Sequence, residues 1–366
     1  MKKILFNTYN EGNIKALINY YNQYLKNEYG NEIKIKYVNH YKYKDSKFIK
    51  LFKRIIDMFG RYDLIVSDYP TKLYATSKKG IFVSHGYGTK KTPGNDELNN
   101  KKTMNFYRSM RKNVDYIVTL SQRDEDYYMR HATLEKHRLP EYVPLGLPRN
   151  DMLFNNIQIE NNTRDLKKEL GINSDEKVVL YAPTWRGYDL KNEFNFSRED
   201  FIQLNEFLKK VNCKFLYRGH YLEGIVTKEL ITELSNIKIV GFEEEPDTQK
   251  ILCATDLLIT DYSSIYIDFL AIGKAIAFIP FDKERYDRHR GLAIDFQNNI
   301  ETPGPKLSNM KEVMDYIEDV IKGQDGYEQV RQQSQKLYYH YYDGESCKRF
   351  WDLILQELNL QNKGEK

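Results

Sequence analysis

The apolar positions of this chain fall in short runs separated by longer polar or periodic stretches. Ile4–Phe6, Asp63–Ser67, Ile81–Ser84 and Tyr116–Leu120 read as strands, and Lys177–Ala182, Lys214–Tyr217, Ile237–Val240, Leu257–Thr260 and Ala275–Ile279 form a second series. Between them, Ile14–Tyr29 and Asp200–Val211 repeat their apolar residues at helical spacing. Strands alternating with helices predict parallel sheets built from βαβ units, and two such series predict two Rossmann-like lobes. The polar stretch Asn155–Asp165 reads as the boundary, which gives an N-terminal lobe over 1–154 and a second lobe over 155–340. A C-terminal helix over 341–366 is expected to pack back on the first lobe.

Composition narrows this picture. With 366 residues and 41% hydrophobic content the chain can bury two cores. A net charge of +4 does not predict nucleic-acid binding. The three cysteines, Cys213, Cys253 and Cys347, form no CxxC pair, so a zinc site or disulfide framework is not expected and a reducing cytoplasm is. The N-terminal MKKILFNTY has too short an apolar run for a signal peptide. No segment is long and apolar enough to span a bilayer, so any membrane contact is expected to be peripheral.

Candidate chemistry gathers at predicted strand ends, where open parallel sheets bind ligands. His85 follows one strand, Thr184 to Arg186 another, His220 a third, and Asp261 to Ser264 a fourth. In Leu257–Phe269 the strand LLIT runs into a turn whose Ser263 or Ser264 can cap the next helix, leaving N–H groups for an anion. An ordinary serine-capped turn fits the same residues. In Arg218-Gly219-His220 the histidine can donate to a pyrophosphate, or it is a plain loop histidine. In SHGYGTKK the glycines let the loop approach a ligand closely, and His85 can accept a proton at neutral pH. Lys90 and Lys91 can neutralise phosphate. A flexible basic loop is the alternative.

Taken together, SHGYGTKK, GLPRND, YAPTWRG, RGH, ITDYSSIYIDF, YDRHRG, PGP and DGESCKRF, running in order from about residue 81 to 350, resemble the CDP-glycerol glycerophosphotransferase family. That family comprises glycerol-phosphate primases and polymerases of teichoic acid and capsule synthesis. The resemblance implies a GT-B fold, two Rossmann-like lobes whose parallel sheets face a central cleft. It implies a CDP-glycerol donor in the second lobe, a lipid-linked acceptor at the first, and no metal or other cofactor. His85 and His220 resemble the two catalytic histidines. Ser263 and Ser264 fall on the phosphate-contacting serine pair, and Arg290 and Gly291 on the RG motif. Thr184, Arg186, Arg218 and Asp261 are expected beside the donor; Gly86, Lys90, Lys91, Arg149 and Asp151 are expected near acceptor or phosphate. Ser84 stands where the family often has an aromatic residue, and Tyr221 where proline is common. A first strand at residue 3 resembles a primase or compact capsule enzyme more than a long-chain polymerase.

Tyr41–Gly60 adds a surface. Phe48, Leu51, Phe52, Ile55, Ile56 and Phe59 recur at helical spacing, with Lys44, Lys47, Lys50, Lys53 and Arg54 interleaved. Such a helix can lie on an anionic membrane or pack on the lobe's sheet. The functional expectation is transfer of glycerol phosphate with release of CMP, at the inner face of the cell membrane. CDP-ribitol transfer and nucleotide-sugar glycosyl transfer are the rival reactions. A non-catalytic module that binds anionic membrane or polymer is the rival of another class.

Overall fold

A computed structural model describes residues 1–8, 12–39, 61–69, 77–84, 86, 88–124, 140–184, 186, 196–219 and 234–360. His85, His220 and the Tyr41–Gly60 segment lie outside them. The chain forms two compact units. The first comprises Met1–Tyr87, Asp96–Asp151 and Tyr339–Lys366; the second comprises Gly88–Asn95 and Met152–Tyr338.

In the first unit β1 (Lys2–Thr8), β2 (Ile33–Asn39), β3 (Tyr62–Ser67), β4 (Ser77–Val83), β5 (Tyr116–Val118) and β6 (Glu141–Val143) pair in parallel in the order β2-β1-β3-β4-β5-β6. β2 was not evident from apolar runs. It is an outer strand of the sheet whose Lys34 and Lys36 alternate with Ile33, Ile35 and Tyr37, the pattern of an edge guarded against further pairing. Leu5, Ile65, Phe82, Val114 and Ile117 form one core cluster. The helical stretch Gly12–Tyr29 contains a π turn at Tyr21–Leu25. The wider turn shifts the buried stripe so that Ile14, Leu17, Tyr21 and Tyr29 all face inward.

The last helix, Ser346–Glu357, completes this unit. Trp351 is buried, stacks on Tyr21 with centroids 5.0 Å apart, lies 5.8 Å from Phe6, and donates its indole N–H to the Leu17 carbonyl at 2.9 Å. The helix starts on Asp151, whose carboxylate accepts the N–H groups of Ser346 at 2.9 Å and Cys347 at 2.7 Å. Gly146, with φ +85°, passes so close to Ser346 Oγ that no Cβ fits. Asp343 binds the Arg349 guanidinium with both oxygens, at 2.7 and 3.0 Å. GLPRND and DGESCKRF are therefore two halves of one clasp.

In the second unit β7 (Lys177–Ala182), β8 (Cys213–Tyr217), β9 (Ile237–Ile239), β10 (Leu257–Thr260) and β11 (Ala275–Phe278) are parallel in the order β11-β10-β7-β8-β9. Val179, Tyr181, Leu204, Phe215, Ile259 and Ile317 belong to its core. The polar stretch read as a boundary is the helix Asn156–Leu170. Asn155 caps it through the Gln158 N–H, left-handed Gly171 ends it, and Leu166 alone among its residues is buried, so its sequence is polar because its surface is. The Pro303–Pro305 turn lies against β11. Gly304 meets the Ile276 carbonyl where a Cβ would stand, and Phe278 N–H donates to Pro305 O at 2.9 Å.

Replacing Asp151 by alanine removes the acceptor of two helix N–H groups. The expected result is a loss of about 1–2 kcal/mol, read as a lower denaturation midpoint. Faster amide exchange should be confined to the first turn of Ser346–Glu357.

Candidate functional site

The strand order of the second unit reverses between β7 and β10, and a doubly wound sheet opens a crevice outside the carboxyl ends of such a pair. Thr184 and Arg186 leave β7 there, and Asp261 to Ser264 leave β10. Pro183 cannot extend the ladder. The chain turns instead, and the Thr184 N–H donates to Asp261 Oδ1 at 2.8 Å. The Tyr262 N–H donates to the same oxygen at 2.5 Å.

Arg186 lies under this turn. Its side chain is 3% exposed, and Nη1 donates to Asp261 Oδ2 and to the Thr184 carbonyl. Nε and Nη2 grip Asp282 at 3.1 and 2.8 Å. The guanidinium carbon lies 5.1, 4.9 and 5.5 Å from the ring centroids of Tyr262, Phe281 and Tyr286. Burial alone would weaken its charge, but Asp261 and Asp282 outweigh burial and hold its pKa well above the ordinary value. Tyr262 stacks on Tyr286 with centroids 4.3 Å apart and donates its hydroxyl to Asp282 at 2.9 Å. Burial first, then Asp282 and Asp261, push that phenol above its ordinary range.

Arg186 and Asp261, expected beside a donor, are turned inward as the frame of the crevice. Arg218 is likewise occupied. Its Nη1 donates to the carbonyls of Val240, Gly241 and Glu245 at 3.0, 3.2 and 2.9 Å, and its Nη2 to Thr248 Oγ1 at 3.1 Å. Burial lowers its pKa to about 10, against the pull of Glu245, Asp247 and Glu244. It ties down the loop after β9. In the first unit Asp151 clasps the last helix, and burial raises its carboxyl to about 6 against the Cys347 and Ser346 hydrogen bonds. Arg149 is 8% exposed and donates its backbone N–H to Asn13 Oδ1 at 3.2 Å. Asn13 in turn donates to the Ser84 carbonyl at 3.1 Å, and Ser84 Oγ donates to Gly86 O at 2.6 Å.

Thr184, Ser263 and Ser264 lie at the crevice end of the second unit, on the segments that leave β7 and β10. Thr184 is 7% exposed, and its Oγ1 is buried without a hydrogen-bond partner, a condition native proteins leave to very few groups. Ser263 Oγ accepts the Ile265 N–H at 3.4 Å, while Ser264 stands at the helix start with no capping bond from its side chain. The Gly88–Asn95 segment belongs to this unit rather than the first, so Lys90 and Lys91 sit with Arg290 and Gly291. Lys90 pairs with Leu292 as an antiparallel bridge, and its ammonium lies 5.9 Å from the Tyr286 centroid. Thr89, Asn95 and Asp282 were missed. The strand-end rule would have found Asp282, which closes the segment after β11; nothing in the sequence pattern marks Asn95.

The model of the family described as CDP-Glycerol:Poly(glycerophosphate) glycerophosphotransferase matches residues 1–356. The chain belongs to that family. It is 31% identical over 220 residues to the teichoic acid poly(glycerol phosphate) polymerase of Bacillus spizizenii, covering 58% of this chain and 52% of that one. It is 26% identical over 336 residues to the teichoic acid ribitol-phosphate polymerase TarK of Staphylococcus aureus, covering 87% of this chain and 62% of that one. It therefore spans roughly half to three fifths of these two relatives. The fold matches the structure of the wall teichoic acid polymerase TagF with TM-score 0.76 at 20% identity, over 98% of this chain and 89% of that one. That likeness bears out the two-sheet, GT-B-type α/β architecture expected from the sequence.

Removing the guanidinium while keeping the side chain's bulk (Arg186→Met) leaves Asp261 and Asp282 buried without their counter-charge. The expected destabilisation is about 3–5 kcal/mol. A chemical-denaturation midpoint within error of wild type would show that the network is not the frame of this crevice.

Proposed function

We propose that the protein transfers glycerol phosphate from CDP-glycerol to a hydroxyl of a lipid-linked acceptor in teichoic acid or capsule synthesis. The second unit holds the donor and the first serves the acceptor. One observation carries the reading. At the switch point of the second sheet a buried unpartnered hydroxyl, Thr184, shares a crevice edge with Ser264, whose side chain makes no capping bond, and both rest on the frame in which Arg186 is held by Asp261 and Asp282. Such an edge offers hydrogen bonds to a diphosphate.

In this mechanism His85 accepts the proton of the acceptor hydroxyl. That oxygen attacks the phosphorus bearing glycerol, the bond to the CMP oxygen breaks, and CMP leaves with the electron pair. Thr184, Ser263, Ser264, Lys90, Lys91, Arg290 and His220 stabilise the charge on the diphosphate. Arg186, Arg218 and Asp261 hold the loops that carry these groups. No metal enters the scheme. Incubation of the pure protein with CDP-glycerol and lipid-linked acceptors, with and without chelator, followed by mass spectrometry of the products, tests it. CMP release with a mass gain of one glycerol phosphate is expected in both conditions. His85→Ala should lose most turnover while keeping CDP-glycerol affinity. A folded variant with near-normal turnover would remove His85 from the mechanism. The likeness to a ribitol-phosphate polymerase favours CDP-ribitol as the second donor to try, in parallel reactions.

The enzyme acts, in this reading, as a peripheral protein on the inner membrane face. Among the described residues no helix is long and apolar enough to cross a membrane, and the interleaved lysines of Tyr41–Gly60 suit an anionic surface. Each contributes about 1 kcal/mol near such a surface. Replacing Lys47, Lys50 and Lys53 by glutamate should weaken sedimentation with anionic liposomes by a large factor, most at low salt. Equal binding across a salt series would refute the membrane role.

A further inference from the structure

The Gly88–Asn95 segment is held on the second unit along its length. The Thr89 hydroxyl donates to the Tyr262 carbonyl at 3.2 Å, and the Thr89 carbonyl accepts the Ala293 N–H at 3.0 Å. The Lys91 N–H donates to Gly291 O at 2.9 Å, and the Asn95 N–H to Arg290 O at 3.1 Å. The Asn95 side-chain amide reaches the carbonyls of Asp287 at 2.9 Å and Arg288 at 3.4 Å. Gly291 is the seat of this strap. Its φ is +83°, and an added Cβ would come within 2.6 Å of Lys91 Cδ and 3.1 Å of both polar atoms of the Asn95 amide. Left-handed backbone and close approach both demand glycine there.

Thr89 is the pivot. It is 1% exposed, and its hydroxyl touches the backbone of the turn that carries Ser263 and Ser264. A threonine buried against that turn, immediately before two lysines, sets where those lysines emerge. We propose that Thr89 and Gly291 are positioning residues of the donor site: they register the strap on the Tyr262–Ser264 and Arg290–Gly291 turns, so that Lys90 meets the donor diphosphate. The proposal deepens the donor-site reading above and rests on it.

A residue that acts only through another adds nothing once the other is gone, which a double-mutant cycle measures. Thr89→Val keeps the shape and removes one hydrogen bond; Lys90→Met removes the charge. With CDP-glycerol as donor, Thr89→Val should raise KM about tenfold with little change in kcat or in melting temperature. Lys90→Met should raise KM at least as much, and the double variant should match Lys90→Met alone. Gly291→Ala, which displaces the strap through the backbone, should show the same non-additivity with Lys90→Met. Additive effects overturn the proposal, as does a wild-type KM in either single variant at residues 89 and 90. Wild-type protein that releases no CMP from CDP-glycerol overturns the donor-site reading and this proposal with it. A normal wild type with additive variants overturns the positioning role alone.

Discussion

A guanidinium buried between two carboxylates fixes the second unit's switch point. Arg186 binds Asp261 on the turn after β10 and Asp282 on the segment after β11, and its own backbone leaves β7. Three strand ends are thereby referred to one planar group. Moving any of them strands a charge in a low-dielectric interior, at a cost of several kcal/mol. The aromatic rings of Tyr262, Phe281 and Tyr286 exclude water from the cluster and let it stay dry. Thr184, Ser263 and Ser264 hang from this frame, so their spacing is inherited from it.

The same frame shows where sequence reasoning succeeded and where it stopped. Strand periodicity located β7, β8 and β10 closely, because each is a buried run flanked by polar residues. β6 has three residues, one exposed and two half-buried, and offered no such run. The strand-end rule directed attention to Arg186, Asp261 and Arg218. It could not say which way their charges point. That depends on acceptors such as Asp282, 96 residues from Arg186, or the Val240 to Glu245 carbonyls that hold Arg218. Asp151 illustrates the point in the first unit. In GLPRND it reads as a ligand group, and only the fold shows Ser346 and Cys347 presenting their N–H groups to it.

Motif spacing and chain crossing are linked in the same way. PGP and DGESCKRF look like site signatures, yet Gly304 serves close packing against Ile276 and DGESCKRF serves a helix start. The RG motif contains both kinds of residue. Its glycine is a backbone requirement set by Lys91 and Asn95, whereas Arg290 lends its carbonyl to the Asn95 N–H of the strap.

The clasp built by Asp151 and the buried Trp351 has a consequence for how the protein is made. The first unit's core takes in Trp351 from the last helix. A ribosome that has already released the whole second unit still holds the first one unfinished. Its apolar helix face around Leu17 and Tyr21 stays uncovered until the final helix emerges. During that interval the nascent chain presents a sticky surface that a chaperone can recognise, and the second unit becomes the earlier of the two to mature.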